Sequence, residues 1–472
     1  MNVLLCIPPT QLLELSFPTK PRIPIGVAFL VTMLKDNNIP CQILDCEAEK
    51  LDLKDFKLKV TELKPDLIGF YCNTPQRFLV FEMARIVKSV DNNIKVVVGG
   101  PHVSVTDVEV LDFVPEIDFI IRGEGEFSIV ELSKAVESKK DDFSEIKGLS
   151  FRKDGIVQRN PDRPFIQDLD ELPFPDRSLF KVEKYTTGVF GYEKDVKSTM
   201  LKFARGCPMN CVFCDNRVIW GKGVRTRSIT NIIKELTMLN KEQGFQGFDV
   251  YDDTFNLNLS WAKELCREII KSGLDIKWYC TIRANSVDDE FFSLLKQSGC
   301  TGIGLGIESG SEQILKNIKK GITLDMVRNT VRLSQKHGIK VKSFILCNLP
   351  GEKLSDIDKT MNFMKELKEI GPDVMDLPVR PAVTIIYPKT EIEFIAKQKG
   401  LLPKDFNWEK PYYNRDNKLV GEDPQVPVYS EINLKLLALY FLIDRLKKQS
   451  ITKLPYLMSM AFKRTFSRKP KH

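Results

Sequence analysis

The stretch RGCPMNCVFCDN, from Arg205 to Asn216, sets three cysteines at positions 207, 211 and 214. It directly follows TMLKFA (from Thr199), an apolar run that reads as a buried strand. Similar runs return at intervals along the chain: FDVYDD from Phe248, IKWYCT from Ile276, GIGLGI from Gly302, VKSFIL from Val341 and VTIIYP from Val383. Segments with helical spacing, such as ITNIIKELTMLNKEQ and WAKELCREIIKSG, fill most of the gaps. Six such units are expected to curl into a partial (β/α)6 barrel, a fold that carries its chemistry at the carboxyl ends of the strands. The cysteines follow the first strand, where that rule places a site.

Upstream, NVLLCI, CQILD, DLIGFY, KVVVGG and DFIIRG read as five buried strands separated by amphipathic segments. Alternation of this kind implies a parallel, doubly wound sheet of the flavodoxin-like, Rossmann-type class, because parallel strands need crossovers that cover both faces. A hairpin is expected at GLSFRKDGIVQR, turning at Asp154-Gly155, before the Pro- and Asp-rich connector RNPDRPFIQDLDELPFPDRS. RGEGE (Arg122 to Glu126) reads as a strand-end turn opening a helix, and its carboxylates argue against a phosphate site. The expected divisions are 1–145 for the first domain, 146–192 for hairpin and linker, 193–425 for the barrel and 426–472 for a helical C-terminal region with a basic tail.

At 472 residues the chain exceeds one ordinary core. Its 43% hydrophobic and 28% charged residues exclude disorder, and its apolar runs are interrupted well short of the roughly 20 residues that cross a bilayer. Eleven cysteines, an odd count behind an N-terminus that reads as a strand and not as a signal peptide, argue for a reducing, cytoplasmic setting without a disulfide framework. The net charge of +7 is mild, with basic residues concentrated in AFKRTFSRKPKH. Cys266, Cys280, Cys300 and Cys347 fall on apolar faces and read as core.

Soft thiolates at close spacing suit zinc or iron–sulfur. Structural zinc wants four ligands, and His102 and His337 are remote from the trio. A [4Fe-4S] cluster ordinarily takes four cysteines, so three leave one iron with an open position. Zinc and three chance core thiols are the rival readings.

Cys-x3-Cys-x2-Cys with Phe213 before the last cysteine resembles the signature of radical S-adenosylmethionine enzymes. In that family the open iron is chelated by S-adenosylmethionine, and one electron from the cluster yields a 5′-deoxyadenosyl radical. The resemblance implies that Cys207, Cys211 and Cys214 bind the metal and that Phe213 lies beside the cofactor. It implies that Asp252 and Asp253 (VYDDTF) hold the methionine amino group and that Arg283 (CTIRANSV) meets the carboxylate, a task suited to its guanidinium fork. Glu308 and Ser309 (GIGLGIESGSE) would bind the ribose, and FILCNLPGE would contact adenine, with Asn348 where the family often has glycine.

The preceding sheet resembles the cobalamin-binding domain of the same superfamily, and the likeness runs over about residues 1–430. Ligands of such sheets sit at the strand ends near the topological switch, here Pro8, Pro9, Asp45, Thr74, Gly99, Gly100 and His102. No Asp-x-His-x-x-Gly loop occurs, so the resemblance implies base-off cobalamin without a protein histidine on cobalt, and His102 is placed at the corrin periphery or nucleotide tail. The function implied is methylation of an unactivated carbon of a small molecule or lipid. Cyclisation, as in anaerobic magnesium-protoporphyrin ester cyclase, ring contraction or carbon–carbon coupling with the same cofactors is the alternative, and a non-catalytic cobalamin or metal carrier is the second. A flavodoxin or ferredoxin reductant and anaerobic conditions are implied, without a nucleic-acid partner. LPYLMSMAFKRTFSRK has a composition suited to resting on the inner face of a membrane. Trp408, Tyr412, Tyr413, Tyr429, Phe441 and Phe462 lie in the segment from which the family builds substrate pockets, although such aromatics are more often core.

Overall fold

A computed structural model describes residues 1–9, 21–185, 188–192, 196–412 and 426–447. The first sheet takes β1 (Val3–Ile7), β2 (Cys41–Asp45), β3 (Leu67–Tyr71), β4 (Lys95–Gly99) and β5 (Phe119–Ile121) in the order β2-β1-β3-β4-β5, all parallel. Successive residues supply opposite faces: Leu4 and Cys6 face one core with Val96 and Val98, while Val3 and Leu5 face the other with Val97. Both faces are covered by helices, which explains the near-continuous apolar strand runs. Helices Ile25–Asp36 and Glu126–Glu137 take one side; Leu53–Leu63 and Arg77–Val90 take the other. The chain passes from β1 outward to β2 and then back across to β3, so the topological switch lies between β1 and β3.

The hairpin forms from β6 (Leu149–Lys153) and β7 (Ile156–Arg159), turning through the left-handed Asp154 and Gly155. It does not stand apart, since β6 pairs antiparallel with β5 and extends the first sheet to seven strands. The connector behind it is irregular but fixed. Arg177, fully buried, donates to the carbonyls of Pro175 (2.7 Å) and Met200 (2.9 Å) and to Glu235 (2.7 Å).

The second sheet runs β8 (Ser198–Leu201), β11 (Gly247–Val250), β12 (Lys277–Ile282), β13 (Cys300–Glu308), β14 (Lys340–Cys347) and β15 (Met375–Asp376), all parallel. A two-residue antiparallel pair, β9 (Ala204–Arg205) with β10 (Arg225–Thr226), sits at its mouth. The sixth strand differs from the expectation. VTIIYP contributes Val383 to β16 (Ala382–Val383), which pairs farther along β14 than β15 does, and beyond it Ile385 makes only an isolated antiparallel bridge with Val428. Pro378, Pro381 and Pro388 bracket this stretch, and each lacks the N–H that a continuous ladder needs. The result is an open half-barrel with its main core between strands and outer helices, where Cys266, Cys280, Cys300 and Cys347 are buried.

Trp408 and Tyr429 join a small buried cluster with Ile386, Ile392 and Leu402, with Tyr412 packed against it, and Phe441 on helix Leu434–Lys447 packs on the main core. No helix among the described residues is long and apolar enough to cross a membrane. Tyr413, Phe462, the segment LPYLMSMAFKRTFSRK and the basic tail lie outside the described residues.

Candidate active site

The cysteine loop leaves β9 through Gly206, whose φ of 94° and tight approach to the Gly223 carbonyl leave no room for a side chain. Val212, fully buried, pegs the middle of the loop: its N–H donates to the Ile318 carbonyl (3.1 Å) and its carbonyl accepts from Ile392 (2.9 Å). Cys207, Cys211 and Cys214 flank this peg, all free and half-buried. Burial pushes the Cys214 thiol up to about 12, so a metal must displace that proton on binding. Among the described residues no three Cys, His, Asp or Glu side chains converge on a point that would hold one metal ion. A four-iron cluster spreads its thiolates over separate irons, and three free thiols on one pegged loop fit that donor set.

The neighbouring strand ends hold the loop. Asp252 accepts at one carboxylate oxygen from the N–H groups of Phe203 (2.8 Å) and Ala204 (3.0 Å), and Asp253 accepts from Gly206 (2.9 Å). The adjacent acids therefore staple the backbone that enters the cysteine loop. The second Asp252 oxygen is buried without a hydrogen-bond partner, and burial pushes this carboxyl up to about 6.

Arg283, beyond β12, brings Nη1 to 3.9 Å from the Cys211 sulfur and donates from Nη2 to the Lys320 carbonyl. Lys320 in turn pairs with Glu308 at 2.7 Å, both buried, and its Nζ stands 6.0 Å from the centre of the Phe213 ring. Sequence reasoning missed Lys320. Its only signal was KKG closing the helix after GIESGSE, a pattern that a surface cation produces as readily.

Ser309 turns away from this group, fully buried with Oγ 3.2 Å from Thr360 Oγ1. Asn348 explains the departure from glycine: it sits at φ 61°, a conformation that asparagine tolerates, and its side chain makes two 2.8 Å bonds to the backbone of Ile432. Glu352 of the same motif accepts from Asn348 N–H (2.5 Å) and Leu349 N–H (3.2 Å), while burial pushes it up to about 7.

The carboxyl end of the first sheet meets the same cleft. Tyr71, at the end of β3, is 41% exposed and lies within electrostatic range of Tyr251, Asp215 and Tyr387. Tyr251, 64% exposed, precedes the aspartate pair. Pattern reading did not single out these phenols, because tyrosine at a strand end is commonplace.

Several first-domain candidates carry structural duties. Asp45 caps helix Cys46–Glu49 through Ala48 N–H (2.8 Å) and takes the Tyr185 hydroxyl at 2.6 Å. Gly100, at φ 114°, lies so close to the Cys72 carbonyl that a Cβ would stand 2.6 Å from it, so what its backbone approaches is the β3 loop. Gly99 accepts from Cys72 N–H at 2.7 Å, and the Pro8 carbonyl accepts from Gln76 at 3.3 Å, with Pro9 half-buried beside it. His102 is fully buried against Thr74 (Nδ1 to Oγ1, 3.2 Å), edge-on to Trp408, with Nε2 unpartnered. Burial holds this imidazole well below its ordinary pKa, hence neutral.

The RGEGE turn joins the two domains. Glu124 and Glu126, buried, take Arg205 at 2.6 and 2.7 Å, and Glu124 also takes Arg225 at 2.8 Å. Arg205 stands two residues before Cys207.

Comparison with known proteins agrees with this layout. The Radical SAM superfamily matches residues 201–364 and the B12 binding domain matches residues 21–133. An uncharacterized methyltransferase of Pyrococcus horikoshii is 34% identical over 369 residues, 78% of each chain. The anaerobic magnesium-protoporphyrin IX monomethyl ester cyclase of Rubrivivax gelatinosus is 28% identical over 74% of this chain and 63% of its own. Among solved structures, the radical S-adenosylmethionine methyltransferase TsrM of Kitasatospora setae, with cobalamin and a [4Fe-4S] cluster bound, shares the fold (TM-score 0.66, 21% identity, 84% of this chain and 75% of that one).

Proposed function

This chain belongs to the radical S-adenosylmethionine enzymes that carry a B12-binding domain, and we propose that it methylates an unactivated carbon of a small molecule or lipid. The observation that carries the reading is the cleft in which three free thiols, the strand-end charges of the half-barrel and the exposed end of β3 meet. When bound, the cluster with S-adenosylmethionine supplies one-electron cleavage of a sulfonium C–S bond, and cobalamin supplies the methyl group.

The protein's part is binding and orientation. Cys207, Cys211 and Cys214 would hold the cluster as thiolates, with the Arg283 cation 3.9 Å from the Cys211 sulfur offsetting their charge. Asp252 and Asp253 fix the loop, and the unpartnered second oxygen of Asp252, with Asp253 beside it, would be the acceptor for the methionine amino group. Arg283 and Lys320 would be the cations available to the carboxylate, and Glu308, paired with Lys320 at 2.7 Å, would be the acceptor offered to the ribose hydroxyls. Cobalamin would be held at the carboxyl ends of β1, β3 and β4, where His102 is buried against Thr74. A flavodoxin or ferredoxin delivers the electrons.

The test needs no substrate. Reconstituted anaerobically with iron, sulfide and cobalamin and then reduced, the protein should move the label from methyl-labelled S-adenosylmethionine to cobalt, releasing S-adenosylhomocysteine. Bound cobalamin that stays unlabelled while deoxyadenosine accumulates would reject methyl transfer. It would favour a cyclase-type reaction, which the 28% identity to the ester cyclase makes the second reading. A lipid substrate is tested by whether the full chain binds anionic liposomes through its tail.

A further inference from the structure

We propose that Glu124 and Glu126 of the first domain are positioning residues for the cysteine loop of the second, so that the cluster site is complete only with both domains in place. The proposal rests on the reading that the three thiols hold an iron–sulfur cluster. The half-barrel carries a conflict at its mouth. The pair β9–β10 sets Arg205 directly opposite Arg225, and like charges at such a position repel. Their side chains are only 6% and 10% exposed, so solvent screens the repulsion poorly. A ladder of two residues has little hydrogen bonding of its own to offset it. Among the described residues, every ion pair of these two arginines goes to the first domain. Glu124 takes Arg205 at 2.6 Å and Arg225 at 2.8 Å, and Glu126 takes Arg205 at 2.7 Å. Glu124 also accepts from the Ile166 N–H at 2.7 Å, which fixes its carboxylate between the two cations.

Both ends of the cysteine loop meet this arginine pair. Arg205 stands two residues before Cys207. Helix Asn216–Trp220 starts two residues after Cys214 and ends in Trp220, whose ring centre lies 5.8 Å from the Arg205 guanidinium and 5.9 Å from that of Arg225. Arg205 also stands 5.3 Å from the Phe29 ring, on helix Ile25–Asp36 of the first domain. The middle of the loop is pegged to the half-barrel through Val212. Its entry and exit are gathered on two cations that only the first domain neutralises. Removing a carboxylate there frees the ends of the loop and adds an uncompensated positive charge beside the thiols. The first change alters how the three sulfurs are held, and the second makes the cluster easier to reduce and a weaker reductant.

The test reads the loop first without its cluster. In the full-length apoprotein, iodoacetamide alkylation is followed cysteine by cysteine, with the buried Cys266, Cys280, Cys300 and Cys347 as internal reporters of global unfolding. Glu126→Gln should speed alkylation of Cys207 about tenfold while those four stay protected. In the reconstituted holoenzyme the same variant should shift the cluster's reduction potential upward and lower S-adenosylmethionine cleavage per cluster. Glu126→Asp, which keeps the charge, should restore the potential. Trp220→Leu leaves every ion pair in place and should speed alkylation of the trio to a smaller degree, which keeps the test open if Glu126→Gln does not fold. Unchanged Cys207 alkylation in the folded variants would overturn the proposal, and so would equal exposure of loop and core cysteines or an unmoved potential. A parent protein that assembles no iron–sulfur cluster would sink the cluster reading instead, while the alkylation pattern of the apoprotein still decides whether the first domain holds the loop.

Discussion

The two sets of strand ends that face the cleft are built differently. The half-barrel presents charges already engaged with one another: Asp252 and Asp253 on the backbone, Arg283 beside a thiol, Glu308 on Lys320. The first sheet presents prolines, glycines, a threonine and a neutral, buried histidine, and these groups bond within the strand-end loops, His102 to Thr74, Pro8 to Gln76 and Gly99 to Cys72. S-adenosylmethionine carries a sulfonium, an amine and a carboxylate, and a site for it needs fixed charges. A corrin is large, and a site for it needs room and a rigid floor. The charged site is therefore written in individual residues, whereas the other is written in the shape of loops.

The largest effect expected from this contrast lies in the thiols. Cys211→Ala should abolish cluster-bound iron and S-adenosylmethionine cleavage. Melting of the apoprotein should shift by less than about 0.5 kcal/mol, because the side chain is half-buried on a loop. Iron analysis and apoprotein denaturation check the pair of outcomes, and retained cluster would break the comparison at its root.

Next in size is the clamp between the two regions. Glu124→Gln leaves Arg225 without its buried countercharge and Arg205 with Glu126 alone, a loss of about 3–5 kcal/mol. Urea denaturation of the apoprotein should show the domains separating, with cluster loading reduced because Arg205 leads into the loop. An unchanged midpoint would mean that the two strand-end sets are not held together there.

Gly100→Ala sharpens the contrast from the cobalamin side. A Cβ at φ 114° against the Cys72 carbonyl should cost about 1–3 kcal/mol and lower cobalamin retention while leaving cluster content intact. Loss of both cofactors together would mean that this loop serves stability alone.

The last effect is a pH dependence. Folding raises Glu352 from an ordinary value of about 4.3 to about 7 through burial, so the folded state holds the extra proton between those values. Its contribution is fully present below about 4.3 and is lost as pH rises through 7. Glu352→Gln, which mimics the protonated form, should gain in melting temperature relative to the parent at pH 8 compared with pH 5. An equal gap at both pH values would contradict the burial argument.

The half-barrel strands and the cysteine trio were legible because spacing alone encodes them, whereas the acids after β11 were singled out only through the family resemblance. Lys320 and Tyr71 were not, since what matters in each is a neighbour far along the chain: Glu308 for Lys320, Tyr251 and Asp215 for Tyr71. The roles of Glu124 and Glu126 escaped for the same reason, as their partners lie 79 to 101 residues away. The shortened sixth strand shows the opposite failure, with an apolar run outvoted by flanking prolines that deny it ladder hydrogen bonds.

The most direct test of the central claim, one iron left open for S-adenosylmethionine, is the electron paramagnetic resonance spectrum of the reduced, reconstituted full chain with and without that compound. A spectrum that changes on addition, together with four irons per chain, is the expected result. A spectrum indifferent to S-adenosylmethionine, or zinc in place of iron on the three thiols, would contradict the account.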